Sequence, residues 1–244
     1  MMRELLKLKH LVIFLSVMLT TPLAVSAGVI EYQFGNVVAV AEGKAPRPLS
    51  IHSKVEAGET IKTAEGSSAR IRFEDSSQIT LKPNSELVIN SVRYQADKPA
   101  IDAFSVNLLK GGLRAITGLV ALRNRESVKV GAEVATIGIR GTHFGLQLCA
   151  AGNCDSLKTQ DGAPMKDGLY TDVADGKISL TNNAGSLDIG EGEFAYVASA
   201  DVLPQKLDSG AAHKVTLPMC LCSGKTGNSK KPPAVTPAPQ GDPS

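Results

Sequence analysis

The sequence predicts an all-β protein: a single domain of short antiparallel strands in a two-sheet roll or sandwich, or a short β-solenoid, with little helix. Three observations carry that prediction. Apolar and polar residues alternate with period two through most of the central chain. Clusters of turn formers interrupt those runs at short intervals. Finally, 23 glycines accompany an aromatic share of only 4%, with no tryptophan. Alternation places every second side chain on one face of a strand, and strands of four to six residues between turns build all-β domains. A hydrophobic share of 43% over 244 residues is enough to bury a real core. The same figures exclude collagen-like, wholly disordered and multi-span membrane classes. A formal charge of +2, spread along the chain, offers no basic face to nucleic acid.

Taken in order, residues 1–27 read as a secretory signal peptide rather than as part of the fold. Arg3, Lys7 and Lys9 form a positive start, Leu11 to Leu19 an apolar run, and Val25-Ser26-Ala27 a small-residue cleavage site. A membrane anchor needs about 20 continuous apolar residues, and this run ends at Thr20-Thr21-Pro22. Cleavage after Ala27 leaves 23 residues of each charge sign, a neutral product expected to be soluble in the periplasm or outside the cell, without stable membrane insertion.

Strands are expected from Ala69, Ile71 and Phe73 alternating with Arg70, Arg72 and Glu74, and from Ile79, Leu81, Leu87 and Ile89. Turns fall at Glu65–Ser68, Glu74–Ser77 and Lys82–Ser85. The best helical spacing lies in Ile101–Ala121, but Gly111-Gly112 interrupts it and Phe104 with Val106 fits a strand equally well, so this region is assigned as strand or irregular. Alternation resumes at Val128–Val130, Thr136–Ile139, Phe144–Leu148, Ile178–Leu180 and Phe194–Val197. Residues 223–244 contain Pro232, Pro233, Pro237, Pro239 and Pro243 and are expected to be a disordered tail. The structured unit is thus residues 28–222.

Several blocks in order resemble a known family. They are GVIEYQFGNVVAV at 28–40, the Thr63…Gly66-Ser67…Ala69 segment running into Phe73-x-Asp75-x-Ser77, Ile139-Arg140-Gly141-Thr142-x-Phe144, and GLYTDVADGKISLTNNAG at 168–185. Together they resemble the FecR-like domain of bacterial envelope proteins over roughly residues 29–198. The resemblance implies a periplasmic β domain and contacts with protein partners, and it brings no catalytic residues. The best-known members regulate iron uptake across the inner membrane through a transmembrane helix and a cytoplasmic segment that meets a sigma factor. Here a cleavable signal stands in their place, so the chain resembles the exported members in which the β domain stands nearly alone.

From the residues themselves, Gly138 and Gly141 permit close approach or a bulge, and Arg140 is either a solvated strand residue or the partner of Asp75 or Glu133. Asp75 before Ser76-Ser77 caps a tight turn; a calcium role would need more oxygen ligands nearby. The four cysteines, Cys149, Cys154, Cys220 and Cys222, are expected to form disulfides in an exported protein. Cys149 and Cys154 are placed in bonds, and whether with each other or with the C-terminal pair stays open. Chain entropy favours crossed bridges, whereas Cys149–Cys154 is geometrically easy and a C-x-C bridge is strained. A four-thiolate zinc site is the rival arrangement.

Motifs of enzymes are missing. His52, His143 and His213 form no zinc-binding pair, and neither a nucleophile elbow nor a phosphate loop occurs. A Cys149–His143 dyad is the one catalytic arrangement the spacing suggests. The reading is therefore non-catalytic and cofactor-free: a protein-interaction or signalling scaffold in the cell envelope, with an envelope protein as partner. A carbohydrate or cell-wall module is the alternative, weakened by ten Phe and Tyr and no Trp. Direct iron sensing lacks a His/carboxylate cluster.

Overall fold

The computed structural model describes residues 26–139 and 141–212 of the 244-residue chain. Residues 1–25, most of the expected signal peptide, lie outside the described residues, as do Arg140, His213, Cys220, Cys222 and the proline-rich tail. In chain order the strands are β1 (Ser26–Phe34), β2 (Val37–Val40), β3 (Arg47–Pro48), β4 (Lys54–Glu56), β5 (Thr60–Thr63), β6 (Ser68–Phe73), β7 (Gln78–Leu81), β8 (Glu86–Arg93) and β9 (Ala103–Ile116). A short helix, α1 (Leu119–Arg123), precedes β10 (Val128–Ala132), β11 (Ala135–Ile139), β12 (His143–Cys149), β13 (Gly168–Asp175), β14 (Lys177–Asn182), β15 (Gly185–Gly190), β16 (Phe194–Val197) and β17 (Gln205–Leu207). The all-β expectation holds. The uncertain stretch Ile101–Ala121 is mostly the long strand β9, because Gly111-Gly112 continues its ladder instead of breaking a helix. The expected cleavage point after Ala27 falls within β1, where Ala27 is buried.

All strands belong to one continuous mixed sheet, which β9 folds into two layers. The second half of β9 pairs with β7 and β12, extending layer I outward through β6, β1 and β4 on one side and through β13, β16 and β17 on the other. The first half pairs with β8 and β10, extending layer II through β5, β2 and β3 and through β11, β14 and β15. Only β9–β10 is parallel among the described pairs. Hairpins build both layers, β6–β7 and β12–β13 on layer I, β8–β9, β10–β11 and β14–β15 on layer II. At the fold of β9, Gly111 has φ +77° and a Cβ there would stand 2.6 Å from the Asn84 carbonyl oxygen, so glycine is required.

The alternating apolar residues of both layers meet in one core. Ala69, Ile71, Ile79, Leu81, Leu113, Phe144 and Leu146 come from layer I, and Ile61, Leu87, Ile89, Val106, Ile137 and Leu180 from layer II. Phe73 and Phe104 join the layers edge to face at 5.0 Å. Among the described residues no helix is long and apolar enough to cross a membrane.

Candidate functional site

Period two sends the other half of each layer I strand outward, and there the registers align two rows of polar side chains. One row runs Arg70, Thr80, Arg114, Gly145, Asp172 across β6, β7, β9, β12 and β13. The next runs Arg72, Gln78, Ile116, His143, Asp175 across the same strands. Arg114 and Asp172 sit two strands apart, about 9.5 Å between backbones. Gly145, between them, presents no side chain, so the guanidinium reaches over β12 to the carboxylate. Arg114 Nη1 donates to Asp172 Oδ2 at 3.2 Å, and Nη2 donates to the same oxygen. Both side chains are almost wholly buried, at 7% and 3% exposure, so the charges hold each other where water cannot.

Beside this pair lies a cavity of about 140 Å³ lined by Arg70, Gln78, Thr80, Arg114, Ile116 and His143. Arg70 Nε donates to Thr80 Oγ1 at 3.3 Å. Nε2 of His143 is buried without a hydrogen-bond partner. Burial, and then the Arg114 charge, pull the His143 pKa below its usual value against the opposing carboxylates of Asp172 and Asp175. Lys82, partly buried on the same face, is also held below the ordinary lysine range, by burial first; Asp172 opposes that shift and Arg114 adds to it.

The other half of this outward face is roofed. The segment between β12 and β13 folds back over it, and Cys149, Cys154 and Tyr170 form a small second core with Leu157, Met165, Tyr196 and Leu207. The Cys149–Cys154 disulfide closes the start of that segment, which resolves the open pairing in favour of the local bridge and removes these two cysteines from any zinc set. Gln147 reaches Cys154 Sγ from below at 3.5 Å. Tyr170 and Tyr196 pack at 4.8 Å. Their hydroxyls are both engaged with backbone, Lys166 N–H donating to Tyr170 at 2.9 Å and Tyr196 donating to the Asp167 carbonyl. His143 and Cys149 stand at opposite ends of β12, about 20 Å apart at strand rise; the dyad suggested by their spacing is not formed.

The residues of the family blocks occupy structural settings at both ends of β6. Gly66 occupies the turn before β6 with φ +65°, and Ser67 Oγ accepts from Asn36 N–H at 2.8 Å. Phe73 and Phe144 are core residues. Asp75 is 1% exposed and accepts from Ser77 N–H at 3.0 Å, from the Ser77 hydroxyl at 2.5 Å and from Val120 N–H at 3.4 Å. It therefore caps both its own turn and α1. Gly118 permits this, since a Cβ there would lie 2.3 Å from the Asp75 carbonyl oxygen. Ile139 closes β11 in the core, and Gly141 turns with φ +62°. Thr142 N–H donates to Thr117 Oγ1 at 2.8 Å, while its own hydroxyl is buried without a partner. Among the described residues no three His, Cys, Asp or Glu side chains gather as a metal set.

Sequence reasoning placed His143 but missed Arg114, Asp172, Lys82 and Gln147. The signal was available: β12 and β13 read FGLQLC and GLYTDVA, nearly continuous apolar runs. Such runs mark strands covered on both faces, and the burial follows, with almost every residue of the two strands buried.

Comparison with known proteins adds the family. Residues 59–163 match the family described as FecR protein, a segment running from β5 through the disulfide-closed loop. No curated protein matches the chain significantly. Two crystal structures of a provisionally named anti-sigma factor of Parabacteroides distasonis ATCC 8503, at 1.65 Å and 2.50 Å, are similar at 14% identity with TM-scores of 0.44 and 0.43. Each comparison covers 62% of this chain, which spans about 60% of the length of those proteins. The matched, FecR-like segment supplies every lining residue of the charged cavity.

Proposed function

We propose that this chain is an exported, non-catalytic protein-interaction and signalling module of the bacterial cell envelope. On this reading residues 1–27 are removed on export, the product works in the periplasm or outside the cell, and its partner is an envelope protein. One observation carries the proposal. The cationic cavity of layer I is lined by Ile116, 45% exposed, and two further exposed apolar side chains, Leu119 and Leu122 at 40% and 67%, follow it in α1. Ile116 lines the cavity itself, and Leu122 lies 3.8 Å from where a Cβ on Gly141 would be, two residues before His143. Apolar anchors around a charged recess are the arrangement of a protein-docking surface. The FecR family match supports signalling by contact; with a signal peptide at its start, the contact proposed is with an envelope protein and not with a cytoplasmic sigma factor.

Site-specific photocrosslinking in the producing cells tests this. A photoreactive residue at Leu122 is expected to capture a defined partner, and one at Thr136, on the exposed face of layer II, is expected to capture none. Equal capture at both positions, or none at either, would overturn the proposal. N-terminal sequencing of the product should begin at Gly28.

A further inference from the structure

A second cavity, of about 200 Å³, lies on the roofed half of layer I and shares no lining residue with the charged recess. Its floor is aromatic. Tyr170 and Tyr196 are cross-strand partners on β13 and β16, and Gln205 pairs with Tyr196 from β17. Both tyrosine hydroxyls are engaged with backbone, at Lys166 and at Asp167, so these side chains offer the cavity their ring surfaces. Leu207 and Pro164 extend that apolar surface. One wall is the returning segment and the other is the stretch after β17. Gln160 N–H donating to the Ala212 carbonyl and Asp161 N–H donating to the Gly210 carbonyl, each at 2.9 Å, join the two. The Asp161 carboxyl, which lines the cavity, accepts from the Thr159 hydroxyl and from Ala163 N–H at 3.2 Å. Those bonds, the Thr159 hydroxyl first, hold its pKa below the ordinary carboxylate range, so it is charged at neutral pH.

The chain itself carries a segment suited to this recess. Aromatic-lined grooves take proline-rich stretches, because rings pack on the pyrrolidine faces and the polyproline conformation has little entropy left to lose. Here Lys230-Lys231-Pro232-Pro233 and Pro237-Ala238-Pro239 follow the last described residue, Ala212, which stands at the wall of the cavity. Residues 213–231 lie between Ala212 and Pro232. At up to about 3.3–3.6 Å per residue they span far more than the cavity needs. A tether of that length gives its end an effective concentration on the order of millimolar. Charge agrees at the wall from which the chain departs, where Asp161 meets a segment opening with Lys230 and Lys231; Lys166, also lining the cavity, stands beside Tyr170.

We propose that the Tyr170–Tyr196 cavity is a proline-binding site for residues 230–239 of the same chain. The site is separate from the partner-docking surface above and does not rest on it.

The test uses the full purified chain. NMR follows the rings of its four tyrosines, those of Tyr170 and Tyr196 assigned with Tyr→Phe variants. Replacing Pro232 and Pro233 together by alanine is expected to shift the Tyr170 and Tyr196 signals and to leave Tyr32 and Tyr94 unmoved. A synthetic peptide of residues 229–239, added to that variant, should return the two signals saturably toward their parent positions. The same peptide with alanine in place of its prolines should not. On the parent chain the peptide should bind at least tenfold more weakly, because the tethered segment competes with it. Asp161→Asn should weaken peptide binding several-fold, and Asp161→Glu by less. Amide spectra verify that each variant is folded. Tyrosine signals unmoved in the double proline variant, or a peptide that binds parent and variant alike, would overturn the proposal. Parent signals should be independent of protein concentration; a dependence on it would give the site to the tail of a second copy and overturn the same-chain assignment.

Discussion

Across layer II the outward row reads Thr60, Val88, Asn107, Gly131, Thr136, Thr181, Ser186; across layer I it reads Arg70, Thr80, Arg114, Gly145, Asp172. The two layers share a strand and a core, so propensity and packing treat their inner faces alike. Their outer faces differ in what covers them. Layer II is open to water: this row is uncharged, and the charges beside it, such as the Lys62–Glu86 and Lys177–Asp188 pairs, stay exposed. Layer I carries charges that the returning segment and the neighbouring side chains remove from water, so each depends on its partner. A buried charge is costly to leave alone, and this dependence makes layer I the face on which substitutions report function.

The largest contrast is expected from a matched pair of cation replacements. Arg114→Met strands Asp172 in the interior and should cost about 3–5 kcal/mol. Lys129→Met, on the exposed face, should change stability by no more than about 0.5 kcal/mol. Urea unfolding of the two variants measures this. Adding Asp172→Leu to Arg114→Met removes the stranded charge and should recover most of the loss; an equally unstable double variant would show that the pair is not what the face depends on.

Next in size is the roof over the layer I face. Replacing Cys149 and Cys154 by alanine opens a short loop and is expected to cost about 2 kcal/mol. Proteolysis should then begin within residues 150–167, while the layer II hairpins keep their amide protection in hydrogen exchange. Uniform loss of protection would mean that the bridge secures the whole fold and not one face of it.

How far the two faces could be read beforehand follows from their physics. The inner face was legible residue by residue: Ala69, Ile71 and Phe73 are buried as their alternation required, and the turn at Asp75 is capped by that side chain. Alternation assigns a face but says nothing of what lies beyond it, so Arg70 and Arg114 read as ordinary solvent-facing strand residues. Arg114 and Asp172 are 58 residues apart, and no local pattern encodes a partner at that distance. Only the glycine at 145 and the long apolar runs of β12 and β13 hinted that the outward face was closed. Asp102 illustrates the same limit. Its pairing with Arg123, at 2.7 Å and supported by Arg123 donating to the Gln95 and Ala96 carbonyls, pins the loop before β9 through contacts that no spacing rule predicts.

The smallest effect concerns pH. His143 has its pKa held below the usual value by burial and by Arg114, against Asp172 and Asp175. Below the ordinary histidine pKa, near 6.5, the unfolded chain therefore takes up the proton more readily than the folded one. This contribution to stability is present at neutral pH and declines as pH falls through that range. The melting temperature of the parent should drop more between pH 7 and pH 5 than that of His143→Gln. Parallel pH profiles would place His143 in a solvated setting.

The central claim is that recognition belongs to the charged recess of layer I. Crosslinking yield at Leu122, compared among the parent, Arg70→Gln and Lys129→Gln, tests it most directly. The account expects the adduct to fall at least tenfold in Arg70→Gln and to persist at the parent level in Lys129→Gln. An adduct untouched by Arg70→Gln, or one lost equally in both, would contradict it.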